Sequence, residues 1–208
     1  MLNSKTTGWM LIMGMVSVVF IIIGIAVQGD SSDGGVAGVV AWAAANKDTW
    51  QIVVPINMIA NVLIIIFTVG FISWARSIDE SNGAISFGKY SALLALILIW
   101  VADLSQVAGF DTSADNADAA NALISLSRTL TWVGILTLLA SFFVVGTTAY
   151  IKKSGTPALT GLLGLVGLVG CVGGFIPLGD ITWVFWVGGF LLGMLLLTII
   201  GVQKVIRS

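Results

Sequence analysis

Two ionisable residues stand where the surrounding sequence is apolar. Asp103 follows the run Leu93-Leu94-Ala95-Leu96-Ile97-Leu98-Ile99-Trp100-Val101-Ala102, and Arg128 precedes Thr129-Leu130-Thr131-Trp132-Val133-Gly134-Ile135-Leu136. A charge at the centre of a membrane span costs about 2.5–3.5 kcal/mol on insertion scales, so each is expected to turn inward and to find a partner. The spacing suggests that they are partners of each other. Polar and aromatic residues recur around them at helical intervals. Asn57 and Asn61 are four apart and share a helix face. Trp100, Asp103 and Gln106 form a second stripe, and Ser125, Arg128, Thr131 and Trp132 a third. An acid, a guanidinium, carboxamides and indoles in this pattern are suited to recognition by charge, hydrogen bonding and apolar walls.

Bond-breaking chemistry is poorly served. The chain has no histidine, which removes the commonest general base and the commonest transition-metal ligand. Ser105, Ser125 and Ser127 lack the adjacent base that would activate a hydroxyl. Lys47, Lys89 and Lys153 fall in loops, so no mid-span lysine is offered to an aldehyde chromophore. Asp111, Asp115 and Asp118 lack the roughly twelve-residue loop and terminal glutamate of a Ca²⁺ site, and read as a solvated acidic loop. No catalytic residue, metal site or cofactor is expected. The single Cys171 has no disulfide partner and reads as a small packed residue.

The elements that position these residues follow from composition. Of 208 residues, 58% are hydrophobic and 9% charged, and the mean hydropathy is +1.07. Soluble domains carry about 25% charged residues; this chain could not cover a water-facing surface. The net charge of −1 gives no general basic face for nucleic acid. The expected fold is all-α, a polytopic membrane protein in one six-transmembrane-helix bundle. Spans are predicted at residues 8–27, 51–74, 88–110, 122–150, 157–176 and 181–203, each near the 20 or so residues that cross hydrocarbon. The run at 8–27 is longer than the apolar part of a signal peptide and reads as a retained helix. Residues 36–45 are too few to cross and read as a short interfacial helix flanked by Trp42 and Trp50. Pro55 falls near the start of the second span, where a missing donor costs least. Ser113 or Asp115 is the expected N-cap of the fourth. The fifth span carries Gly161, Gly164, Gly167, Gly170, Gly173 and Gly174, a face that suits close helix packing, including against a second copy or a partner in a membrane complex.

Depth brings the polar stripes together. Asp103 lies seven residues from the end of its span at Phe110, Arg128 six from Ala122, and Asn57 six from Gln51. At about 1.5 Å per residue all three sit roughly 9–10 Å below the same surface. Lysine and arginine bias names that surface. Lys5, Arg76, Lys89, Lys152, Lys153, Lys204 and Arg207 fall on one side and Lys47 on the other, so both ends of the chain are expected in the cytoplasm of a cell whose plasma membrane holds the bundle. Trp9, Trp74, Tyr90 and Tyr150 would mark the inner boundary, and Trp50, Trp183 and Trp186 the outer.

The chain resembles an uncharacterised family of six-helix prokaryotic membrane proteins, defined only as a domain of unknown function. The resemblance lies in Ala44-Ala45-Asn46-Lys47-Asp48-Thr49-Trp50, Phe71-Ile72-Ser73-Trp74-Ala75-Arg76 and Gly146-Thr147-Thr148-Ala149-Tyr150-Ile151-Lys152-Lys153-Ser154-Gly155, and in the small-residue fifth helix. It implies six helices and carries no catalytic residue.

Two functions fit. In the first, Asn57, Asn61, Trp100, Asp103, Gln106, Arg128, Thr131 and Trp132 glue helices together in a structural or accessory membrane protein. In the second, they line an outer-leaflet site, entered past Trp50, Trp100 and Trp132, that binds or moves a small solute or ion. A closed polar contact would favour the first and an open cavity the second.

Overall fold

The computed structural model describes residues 2–28, 35–176 and 181–208. Among them are seven helices and no strand: α1 (Ser4–Gln28), α2 (Gly35–Ala45), α3 (Lys47–Ile78), α4 (Gly83–Thr112), α5 (Ala117–Ile151), α6 (Pro157–Phe175) and α7 (Thr182–Ile206). Six are long and apolar enough to cross a membrane, and α2 is the short one. The fold is an all-α helical bundle of the polytopic membrane type. Hydrocarbon offers no hydrogen bond to a free N–H or C=O, so a spanning segment satisfies its backbone internally as helix. Most long helices run past the expected apolar windows, and polar side-chain caps start α4 and α5. The Asn82 side chain accepts from the Ala84 N–H at 2.8 Å to start α4. The Asn116 side chain accepts from the Ala119 N–H at 3.0 Å to start α5. The cap of α5 is therefore Asn116, and neither Ser113 nor Asp115; Ser113 is spent on the other side of the turn, donating to the Phe110 carbonyl at 2.7 Å.

Around the bundle the order is α3, α1, α7, α6, α5, α4 and back to α3. The α4–α5 pair is the most extensive contact, and α3 against α4 the slightest between neighbours in the ring. The α4–α5 seam is built on small residues. Gly88 lies against Val145, Gly134 against Ala95 and Ile99, and Gly109 against Ala120 and Ile124. Across it the Ser141 hydroxyl donates to the Gly88 carbonyl at 2.8 Å.

Two apolar clusters fill the ends of the bundle. The larger occupies the end that carries most lysines and arginines, around Phe67, Phe71, Trp74, Phe142, Met194 and Leu197. Phe71 makes an edge contact with Phe142, ring centroids 5.7 Å apart. Trp74 is thus buried, at 3% exposure, whereas Trp9, Tyr90 and Tyr150 point outward as boundary anchors would. The smaller cluster joins Val39, Val40 and Ala43 of α2 to Trp50, Phe110, Ala120 and Ile124. Phe110 sits between Trp42 and Trp50, with centroids 6.0 and 6.1 Å away. Trp50 is a roof beam at 7% exposure, not an exposed anchor.

The glycine face of α6, expected to suit close helix packing, packs inside the chain. A Cβ on Gly146 of α5 would meet the Gly164 amide nitrogen at 2.5 Å; one on Gly167 would run into the Phe143 amide nitrogen, and one on Gly173 into the Phe185 ring at 2.5 Å. What α6 presents outward is Leu162, Leu165, Leu168, Val169, Val172 and Phe175, a surface matched to lipid tails. At the same end as the larger cluster, Asp79 accepts an ion pair from Lys152 at 3.0 Å. Lys152 and the Ser81 hydroxyl together hold the Asp79 carboxyl below its ordinary range.

Overpacking at a tight helix crossing costs typically about 1–3 kcal/mol. Gly146→Val and Gly167→Val are each expected to lower the melting temperature in detergent. Gly188→Ala, where nothing lies within 4 Å of the added methyl, should leave it unchanged or raise it, since alanine is the better helix former. Equal melting temperatures for all three variants would show that the α5–α6 approach is not as close as described.

Candidate functional site

Between the two apolar clusters the bundle is hollow. A chamber of about 410 Å³ is lined from five helices, among them Gln28 of α1, Asn57 and Asn61 of α3, Asp103 and Gln106 of α4, Thr131 of α5 and Trp186 of α7. The rest of its wall is apolar: Val18, Ile21, Ile22, Ile25, Ile64, Ile99, Ile135 and Phe190. A drug-sized pocket with few convergent polar groups in an apolar wall is the usual form of a small-molecule site.

Two further spaces adjoin it. A groove of about 100 Å³ lies between α3 and α4, where those helices pack least. Val53, Met58, Val62, Trp100, Leu104 and Val107 form its apolar sides, and Asn57, Asn61, Asp103 and Gln106 line both it and the chamber. A vestibule of about 410 Å³ at the α2 end shares Gln28, Gln106, Thr131 and Trp186 with the chamber and adds Val39, Ile124, Ser127 and Arg128.

Asp103 and Arg128 stand at one level, as the helical rise predicts. Gly134 packs on residues 95 and 99, and Gly109 on 120 and 124; stepping along both helices sets Asp103 opposite residues 126–130. The expected ion pair is nevertheless not formed. Among the described residues the salt bridge is that of Lys152 with Asp79. Ala102 and Ser127 occupy the buried seam, and Asp103 and Arg128, each one residue on, leave it about 100° around their helices. From there the long Arg128 side chain extends to α2, where it donates to the Gly35 carbonyl at 3.5 Å. The short Asp103 carboxyl has the Asn61 side chain of α3 beside it instead, on the wall shared by the groove and the chamber.

The other expected site residues divide. Asn57, Asn61, Asp103 and Gln106 come together, and Thr131 joins them across the chamber. Trp100 flanks the groove alone, and Arg128 belongs to the vestibule. Trp132 is elsewhere: its ring meets Phe175 of α6 edge-on at 5.7 Å, because it follows Thr131 by one residue and so turns away from the chamber. The sequence reading missed Gln28 and Trp186, one at the end of an apolar run and the other resembling a boundary anchor. It also missed Gly24. A Cβ there would meet the Asn57 side-chain oxygen at 2.5 Å, so a larger residue at that place in α1 would make the carboxamide shift.

No family model matches the chain, and no curated protein or solved structure is significantly similar to it. What the site can do follows from its geometry. A carboxyl sharing its wall with the carboxamides of Asn57, Asn61 and Gln106, no cation within ion-pair distance among the described residues, and walls of isoleucine and tryptophan can accept hydrogen bonds from a donor group and surround an apolar body.

Residues with no shared partner give additive stability changes within about 0.3–0.5 kcal/mol. Asp103→Ala and Arg128→Ala are therefore expected to add in a double-mutant cycle measured by thermal unfolding in detergent. Asn61→Ala with Asp103→Ala should fall short of additivity by about 0.6 kcal/mol, the average for a hydrogen bond between membrane helices. A large coupling in the first cycle and none in the second would restore the ion pair.

Proposed function

We propose that this is a solute-binding membrane protein whose chamber receives a small organic molecule with its hydrogen-bond-donating group at Asp103. The observation that carries this reading is the placement of Asn57, Asn61, Asp103 and Gln106 on the wall of an open space of about 410 Å³, where helix glue would leave a closed contact. Polar and ionisable side chains inside a membrane bundle are expensive, and they characteristically mark substrate or ion pathways. Asn57 and Gln106 offer both donors and acceptors, which fix orientation, while Ile21, Ile25, Ile99 and Ile135 exclude water around the bound body. The lysine and arginine bias supports a plasma-membrane orientation with both chain ends cytoplasmic and the vestibule outside.

The test of the site is an apolar repacking, Asn57→Leu, Asn61→Leu, Asp103→Leu and Gln106→Met. Buried polar groups often yield to apolar ones without loss of stability, so the repacked protein should fold. A thermal-shift screen of small amines and other hydrogen-bond donors should stabilise the wild type by about 2.7 kcal/mol at a hundredfold excess over the dissociation constant, and leave the repacked protein unmoved. Ligand shifts of equal size in both proteins, or none in either, would remove the site and favour an accessory role. For orientation, Asp115→Cys and Ser81→Cys are both exposed positions. An impermeant thiol reagent added to intact cells should modify the first and reach the second only after lysis, with Cys171, half-buried in α6, giving little background. The reverse pattern inverts the topology.

A further inference from the structure

The chamber has two approaches, and their chemistry differs. The vestibule leads in past Arg128, a cation at its wall. The α3–α4 groove has no charge but Asp103 itself, at its inner edge. Its outer rim is Met58, Val62, Trp100 and Leu104, all exposed on the bundle surface at the depth of the lipid tails. The roof above is shut by Trp42, Phe110 and Trp50. One wall is also poorly braced. Pro55 has no N–H to tie α3 to the Gln51 carbonyl, and α3 packs on α4 less than any other neighbours in the ring pack on each other.

Accepting the chamber as a binding site, we infer that the groove between α3 and α4 is a lateral entry from the bilayer, and that the molecule it admits is a cationic amphiphile, an alkyl amine in its simplest form. The ammonium group finds in Asp103 a carboxylate with no ion-pair partner among the described residues, with Asn57, Asn61 and Gln106 to take its remaining N–H donors. The chain lies along Met58, Val62, Leu104 and Val107. A cation is repelled from the vestibule by Arg128 and meets no like charge in the groove. A phospholipid phosphate is disfavoured for the converse reason, since it would confront the Asp103 carboxylate.

The experiment uses the full chain in phosphatidylcholine vesicles and a dodecylamine probe carrying a photoactivatable diazirine midway along its alkyl chain. Saturable labelling is expected at Met58, Val62 or Leu104, with competition by dodecylamine and not by dodecanol. Asp103→Asn should weaken labelling about tenfold, as loss of a single charged contact does. Leu104→Trp and Met58→Trp fill the groove from exposed positions that leave the fold intact, and should slow labelling about tenfold. Arg128→Ala should not slow it. Labelling that ignores Asp103 and is matched by dodecanol would identify an acyl-chain groove and overturn the amine class. Asp103-dependent binding of water-soluble butylamine, with dodecylamine labelling unaffected by Leu104→Trp and Met58→Trp, would leave the solute site standing and remove the lateral route. Absence of saturable labelling, with no stabilisation of the wild type by either amine, would overturn the inference. If other hydrogen-bond donors still bound, the chamber would survive that result as a binding site.

Discussion

Much of this bundle depends on how closely α4 and α5 approach. Their seam is made of glycine, alanine and serine, which let two backbones lie nearly in contact. In lipid, where the tails are as apolar as any side chain, such fits hold helices together by dispersion and short polar contacts. The seam fixes the register of the two helices through Gly88, Gly134 and Gly109. That register sets the level of Asp103. Because Ala102 fills the seam, Asp103 is turned off it and into the space shared with α1, α3 and α7. A larger residue at Gly109 or Gly134 would spread the pair and change which way the acid points.

The space exists because the apolar mass is divided. The Phe67–Phe71–Phe142 cluster closes one end, and the Trp42–Phe110–Trp50 group closes much of the other. Between them lies the chamber, on whose wall Asn57, Asn61, Asp103 and Gln106 gather, since a buried carboxyl or carboxamide is cheaper there than against lipid tails. The packing of α6 contributes from a distance. With its glycines committed to α5 and α7, that side of the ring is tight, and the slack falls on the opposite side, between α3 and α4.

The six apolar helices were legible because the bilayer leaves a spanning segment little choice: long runs without charge must be helical, and their length is set by hydrocarbon thickness. The common depth of Asn57, Asp103 and Arg128 was legible from the helical rise alone. Rotation about each helix axis was not. In helices apolar on nearly every side, the pattern carries little sign of which face meets a neighbour, so Trp132 was expected in the site and is found against Phe175. Trp50 and Trp74 were read as boundary anchors from their positions at span ends, and both are buried by neighbours that only the ring order supplies. Gly24 and Gln28 had no distinguishing context in the sequence; their relevance arises from contact with α3 and α4.

The junction of α2 and α3 is a single residue, Asn46. Its backbone N–H and its side-chain amide both donate to the Trp42 carbonyl, at 2.9 and 2.8 Å, and Trp50 two turns further on shares Phe110 with Trp42. The two helices therefore form one angled piece, with α2 as one arm and the start of α3, from Lys47 to Pro55, as the other. Displacing that start of α3 away from α4 would carry α2 with it. The proposed side entrance and the roof are in this sense a single part, and a molecule wedged between α3 and α4 would be felt at the α2 end of the bundle as a tilt of α2.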